Sequence, residues 1–363
     1  MSQGNESLTR RQLLAMLFCV TLATTIRPLP GNLVMVAGNA SWVATIVAIP
    51  VAVAYVFFIG LLFKNRRDGE GLAELILRVL GNTLGKILII IYTAWLVFFA
   101  AIVMRAGSES FANTIYPASR PQIFFILMLG LATVAAIGRV RALAHFSELL
   151  RPLLIVLFLF VILFGLQNVN TDNLLPVSTL DAVPIAKGTA VYANTVGVMT
   201  FMLFLGKYVK PDGGSSKAHA KTVAGAMLII SLLITEALAS LGAELTVKLN
   251  NPFFIMVRDL SVLNTIERIE AIVVAFWVLT DYIFISCVMV ICSDNLALCL
   301  GVPKKAWLPL LLFAALVTLT STIAPVSFAM NIYTNRIVPI LAAVFTFGVL
   351  PALLIIGKLR KKI

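Results

Sequence analysis

The 363-residue chain is 60% hydrophobic and 12% charged, with a mean hydropathy of +1.02. That charge content is about half of what soluble proteins carry, which excludes an ordinary water-soluble domain. The formal net charge of +12 does not point to nucleic acid, because the lysines and arginines stand mainly between apolar runs, where they set membrane orientation.

A helix needs ~20 mostly apolar residues to cross a bilayer. The sequence predicts spans at roughly 13–37, 42–63, 84–104, 121–138, 152–167, 185–206, 221–247, 270–300, 307–324 and 337–357. The alternation of barrel strands does not occur. The expectation is one polytopic, all-α integral membrane domain over 1–363, with helices 1–5 at about 13–167 and helices 6–10 at about 185–357.

The first span follows Arg10 and Arg11, like a signal peptide, but no cleavage site stands out and it reads as a retained helix. It is interrupted by "TTIRPLPGN" at 24–32. Pro28 and Pro30 lack N–H groups and leave carbonyls unpaired. In hydrocarbon such groups must face protein, water or ligand. The sixth span has a counterpart at Ala193-Asn194-Thr195-Val196-Gly197, rich in poor helix formers. Two groups of five spans put these breaks at matching positions, and the odd number inverts the second group. Paired interruptions of this kind mark transporter sites at the bilayer midplane. The candidate ligand-binding residues are Thr25, Pro28, Gly31 and Asn32 at the first break and Tyr192, Asn194, Thr195, Gly197 and Thr200 at the second, with Tyr282 and Tyr92 as further walls. The half-helix N–H groups suit a carboxylate. The alternative is that the prolines and glycines only kink the helices. Arg27 either caps the first break or places it near the outer surface.

Glu236 in the seventh span shares a helical face with Ser240 and Glu244 by i, i+4 spacing, and Asp281 lies in the eighth span. Carboxylates at membrane depth are costly, and are candidates for carrying a proton or cation. The alternative is a structural partner on another helix. Before the eighth span, Asn251 and Pro252 start a short helix that presents Phe253, Met256, Val257 and Leu260 on one face. It either lies on lipid or forms a lid. Glu267, Arg268 and Glu270 then read as a solvated helix end.

Counted by loop, 20 of the 28 lysines and arginines fall on one side, which is therefore cytoplasmic and holds both termini. Cys19, Cys287, Cys292 and Cys299 are in or near apolar spans without a C-x-x-C pair, and His145 and His219 are placed in loops. Metal, cofactor and disulfide roles are not expected. No enzyme constellation occurs; "GNTLGKILI" (81–89) lacks the spacing and the Ser/Thr of a phosphate-binding loop.

Several segments together resemble the B-subunit (GerAB-type) family of spore germination receptors, within the amino acid–polyamine–organocation transporter superfamily. They are "SLTRRQLLAML" (7–17), "LGNTLGKILIIIYTAWL" (80–96), "DNLLPV" (172–177), "PIAKG" (184–188), "NPFF" and "IERIEAIVVAFWVLTDYIF" (266–284). The family often carries Phe-Gly-Glu in its sixth span; here Val198 follows Gly197. The resemblance implies a LeuT-like fold of ten helices in a 5+5 inverted repeat with discontinuous helices 1 and 6. It also implies a small-molecule germinant such as an amino acid, A-type and C-type receptor subunits as partners, and the spore inner membrane or the cell membrane as location. A sensing subunit, a proton- or cation-coupled amino acid permease and a ligand-opened conduit all remain compatible with the sequence.

Overall fold

Thr9 starts the first helix. Its hydroxyl accepts from the Gln12 N–H at 3.3 Å while the Gln12 side chain accepts from the Thr9 N–H at 2.9 Å, a reciprocal cap that satisfies two orphan donors. The computed structural model of the chain describes residues 7–64, 66–115, 119–209, 216–249, 251–260, 269–303, 306–323, 330 and 332–362. From the cap, α1 (Arg10–Thr25) runs to the Pro-rich break. The chain resumes as α2 (Leu29–Ala37), then turns at Gly38, where φ is +55°, into α3 (Ser41–Leu62). After α4 (Leu72–Leu80) come three long segments, α5 (Asn82–Ile115), α6 (Pro121–Ile137) and α7 (Val140–Gly165).

The second half begins with α8 (Ala182–Ala193). Asn194 separates it from α9 (Thr195–Thr200), which tightens into a 3-10 helix over Phe201–Tyr208. Next are α10 (Ser216–Lys248), the short α11 (Pro252–Arg258), α12 (Ile269–Leu300) and α13 (Trp307–Thr322). The last helix, α14 (Tyr333–Leu359), is π-helical at Tyr333–Ile337 and Val344–Val349. Seven helical segments are long and apolar enough to cross a membrane, and Pro121–Ile137 and Trp307–Thr322 are shorter apolar helices. The long segments treat α2 and α3 as one, so a count of ten follows only when α1 with α2 is taken as one crossing and both short helices as two more.

The core lies where α1, α5, α10 and α12 meet α3, α7 and α8. α12 is the most enclosed, with Ile283 through Asn295 buried continuously. Outward faces carry exposed rows such as Leu127, Leu131 and Val134 on α6 and Leu149, Val156 and Leu163 on α7. Surface of this kind is stable against lipid tails and would be uncompensated in water.

Helices extend further than the apolar runs predict. α7 begins at Val140, so His145 is helical rather than in a loop, and His219 is likewise inside α10. Apolar periodicity continues past the hydrophobic stretch, and charged residues ride on the outer face of the same helix. α4 falls in a segment predicted as loop. It buries Leu72, Leu75, Ile76 and Val79 against α5, an i, i+3, i+4, i+7 stripe. At Gly242 the backbone takes φ +74°, ψ 163° and breaks α10. Glu236 and Ser240 therefore keep their shared face, but Glu244 does not; it is exposed and pairs with Lys248 at 2.5 Å.

Candidate functional site

At the first break, Pro28 and Pro30 supply no N–H to Thr24 and Ile26. Arg27 fills part of that deficit. Its Nη2 donates to the Ala23 carbonyl at 3.1 Å, at the end of α1, and also to Asp281 of α12. The guanidinium stands over the Trp277 ring, 5.7 Å from its centroid. Arg27 and Asp281 are only 6% and 5% exposed, so the ion pair is internal. Gly107 of α5 makes the approach possible, since a Cβ there would stand 2.8 Å from Arg27 Nη1 and 2.9 Å from Asp281 Oδ2. Asp281 thus has the structural partner on another helix that the sequence left open. Arg27 caps the break from inside the protein.

The break opens into a cavity of about 450 Å³, lined by Arg27, Pro28, Gly31 and Asn32, by Glu109 and Ser110 of α5, and by Val247–Leu249 and Pro252. Here α11 is packed into the protein: Phe253, Phe254, Met256 and Val257 are buried, and both phenylalanines pack on Trp277, with centroids 5.9 and 6.1 Å away. It does not lie on the surface as an interfacial helix would. Glu267 and Arg268 are outside the described residues.

The second break opens elsewhere. Val196, Met199 and Thr200 line a cavity of about 460 Å³ at the basic end, with Arg10, Leu17, Lys64 and Arg66. Aromatic rings lie between the two cavities. Tyr92, whose hydroxyl is 3.3 Å from Thr200, packs on Phe345; Phe345 stacks on Trp95 and Trp95 on Phe99, which lines the cavity of the first break. Phe284 joins Phe99 to Phe201 at 5.5 and 5.9 Å.

Residues 7–328 match the family described as spore germination protein, the spore permeases. The chain belongs to that family. No curated protein matches it. Among solved structures it is similar to a nucleobase-cation-symport-1 family transporter in a closed conformation with bromovinylhydantoin bound. The TM-score is 0.72 at 13% identity, over 98% of this chain and 79% of that one. The spore germination protein is therefore an all-α transporter fold with discontinuous helices 1 and 6, as its two breaks predict.

In this spore germination protein, Pro28, Gly31 and Asn32 share the cavity of the first break, labelled the outer cavity, and Thr200 lines the one at the basic end, labelled the inner cavity. The remaining candidates line neither. The Thr25 hydroxyl donates to Thr21 O at 2.6 Å and that of Thr195 to Tyr192 O at 2.7 Å. The Tyr192 hydroxyl donates to the Met227 carbonyl. Tyr282, one residue past the inward-facing Asp281, turns to Phe146 instead. Asn194 donates to Pro339 O at 2.8 Å. Gly197 is pressed against α14, where an added Cβ would lie 2.5 Å from Thr346 Oγ1. The second break is a tightening to i+3 bonding, such as Gly197 N–H to Asn194 O at 2.9 Å, and leaves less free backbone than the first.

Glu236 is 5% exposed, and neither carboxyl oxygen has a hydrogen-bond partner among the described residues. It is directed at Gly165, at the end of α7, where any Cβ would collide with Oε1. Both membrane-depth carboxylates therefore face the interior, one paired and one not. All four cysteines are free thiols. The sequence offered Arg27 as a cap of the break, but not Asp281 as its partner, and Arg27 was not among the ligand-binding candidates.

Proposed function

We propose that the chain is the ligand-binding membrane subunit of a spore germinant receptor, and that a small nutrient such as an amino acid binds in the outer cavity. The observation that carries the reading is the first break. Pro28, Gly31 and Asn32 border a cavity of about 450 Å³, and an aromatic layer stands between that cavity and the inner one. Among the described residues these rings separate a ligand in the outer cavity from the inner one, which suits binding more than passage. The N-terminus of α2 adds backbone donors for an anionic group. The reading places ten crossings in a spore inner membrane, both termini on the cytoplasmic side, and A-type and C-type subunits as partners. Binding of labelled amino acids to the purified chain tests it. A ligand whose binding is lost in Gly31→Val supports the site, and unchanged binding in that variant refutes it.

The unpartnered Glu236 favours a second reading, a proton- or cation-coupled amino acid permease in which Glu236 carries the coupled charge. Gradient-driven uptake into liposomes, abolished in Glu236→Gln, would select this reading over sensing.

A further inference from the structure

Of the two cations that line the outer cavity among the described residues, Arg27 is the buried one. The other lining cation, Lys248, is exposed and bound to Glu244. The guanidinium has five donors in a fixed fork. Nη2 serves both Ala23 O and Asp281. Trp277 and the bare Cα of Gly107 hold the group in place. The pair Arg27–Asp281 is formally neutral, as are Arg105–Glu109 at 2.6 Å and Lys248–Glu244.

This balance decides what the cavity accepts. A carboxylate sharing Arg27 with Asp281 would add an uncompensated negative charge to a buried site, and a ligand with only an ammonium would add a positive one. Both are costly in a low-dielectric interior. A molecule carrying both charges leaves the site neutral. We propose that the Arg27–Asp281 pair is the specificity-determining element of the outer cavity and selects a zwitterion, whose carboxylate takes the remaining Arg27 donors. This rests on the outer cavity being the ligand site. Asp281 acts through Arg27 as a positioning and charge-balancing residue, and its removal should change the preferred ligand rather than abolish binding.

The experiment uses the purified full chain in lipid nanodiscs. Proteinogenic L-amino acids are screened singly by equilibrium binding, and each binder is compared with its amide and with the carboxylic acid lacking the amine. In the wild type both analogues should bind weaker by about tenfold to a hundredfold, the size of one charge-assisted hydrogen bond. In Asp281→Asn the site carries a net positive charge, and the acid lacking the amine should gain at least about tenfold relative to the amino acid. In the double variant Arg27→Gln/Asp281→Asn the charge preference should vanish, which keeps the test decisive if the single variant does not fold. Wild-type binding of all three compounds alike, or an unchanged preference in Asp281→Asn, overturns the proposal while leaving the cavity reading intact. Absence of any amino acid binding, or binding indifferent to Gly31→Val, overturns the cavity reading and the proposal with it.

Discussion

Arg27 in the first helix break and Asp281 in α12 are 254 residues apart in sequence and form a buried ion pair. The pair joins the two halves of the chain at the point where the backbone of helix 1 is least able to bond with itself. A buried pair adds little net stability against a well-packed apolar alternative, but removing one partner strands the other charge.

Asp281→Ala should therefore destabilise the protein by about 3–5 kcal/mol. Asp281→Asn should lose less, because its amide oxygen still accepts from Nη2. Thermal unfolding in detergent measures both. Equal losses would show that the charge, rather than the hydrogen bond, dominates.

Gly107→Ala tests the same contact from α5. The new methyl would stand under 3 Å from both Arg27 Nη1 and Asp281 Oδ2, so one of them must move. The expected loss is about 1–3 kcal/mol, as for overpacking. In an Asp281→Ala background the same change should be milder, because one of the clashing atoms is gone. A double-mutant cycle reports that coupling.

The breaks were legible because proline and glycine act locally: Pro28, Pro30 and Gly31 announce a discontinuity whatever surrounds them. The partner of Arg27 was not, since no local pattern links positions 27 and 281. α4 was legible in principle, as the Leu72, Leu75, Ile76, Val79 stripe was present, but it falls between two apolar spans and hydropathy alone passes over it. The extension of Glu236's face to Glu244 failed at Gly242, where positive φ resets the helix phase. Which cavity each break borders was not legible either, since spacing along the chain carries no such information. Helix 1 frees backbone toward the outer cavity, whereas helix 6 tightens and presents Thr200 to the inner one.

Gly165→Ala should displace the Glu236 side chain, because any Cβ at 165 occupies the space of the carboxyl group. The loss should be about 1–3 kcal/mol. Glu236→Ala should restore much of it by removing the colliding group. If the two changes add instead of compensating, Glu236 does not rest on Gly165.

Gly197→Ala separates packing from ligand contact at the second break. Its Cβ would meet Thr346 Oγ1 at 2.5 Å, and the Thr346 hydroxyl is enclosed in the π-helical turn of α14 without a hydrogen-bond partner among the described residues. The expected result is a lower melting temperature, relieved by Thr346→Ala, with ligand affinity near wild type in the double variant. Lost binding in a fully stable double variant would place the ligand at the second break.

Gly31 gives the sharpest contrast between space and strain. Its φ is not positive, and a Cβ there would find Thr246 O at 3.5 Å and Pro252 Cγ at 3.9 Å, both ordinary contacts. Gly31→Ala should therefore fold normally and gain slightly in helix propensity. Gly31→Val adds a Cβ and two methyl groups at the wall formed by Thr246 and Pro252, where the outer cavity is bordered by α10 and α11. The valine should leave insertion and unfolding temperature close to wild type while lowering ligand affinity by about tenfold or more, a difference of ~1.4 kcal/mol. Alanine should lower it less. The order Gly, Ala, Val in affinity, measured with stability unchanged, assigns the ligand to the cavity. An affinity loss that follows melting temperature instead assigns the effect to the seating of α11, and the cavity then serves folding rather than recognition.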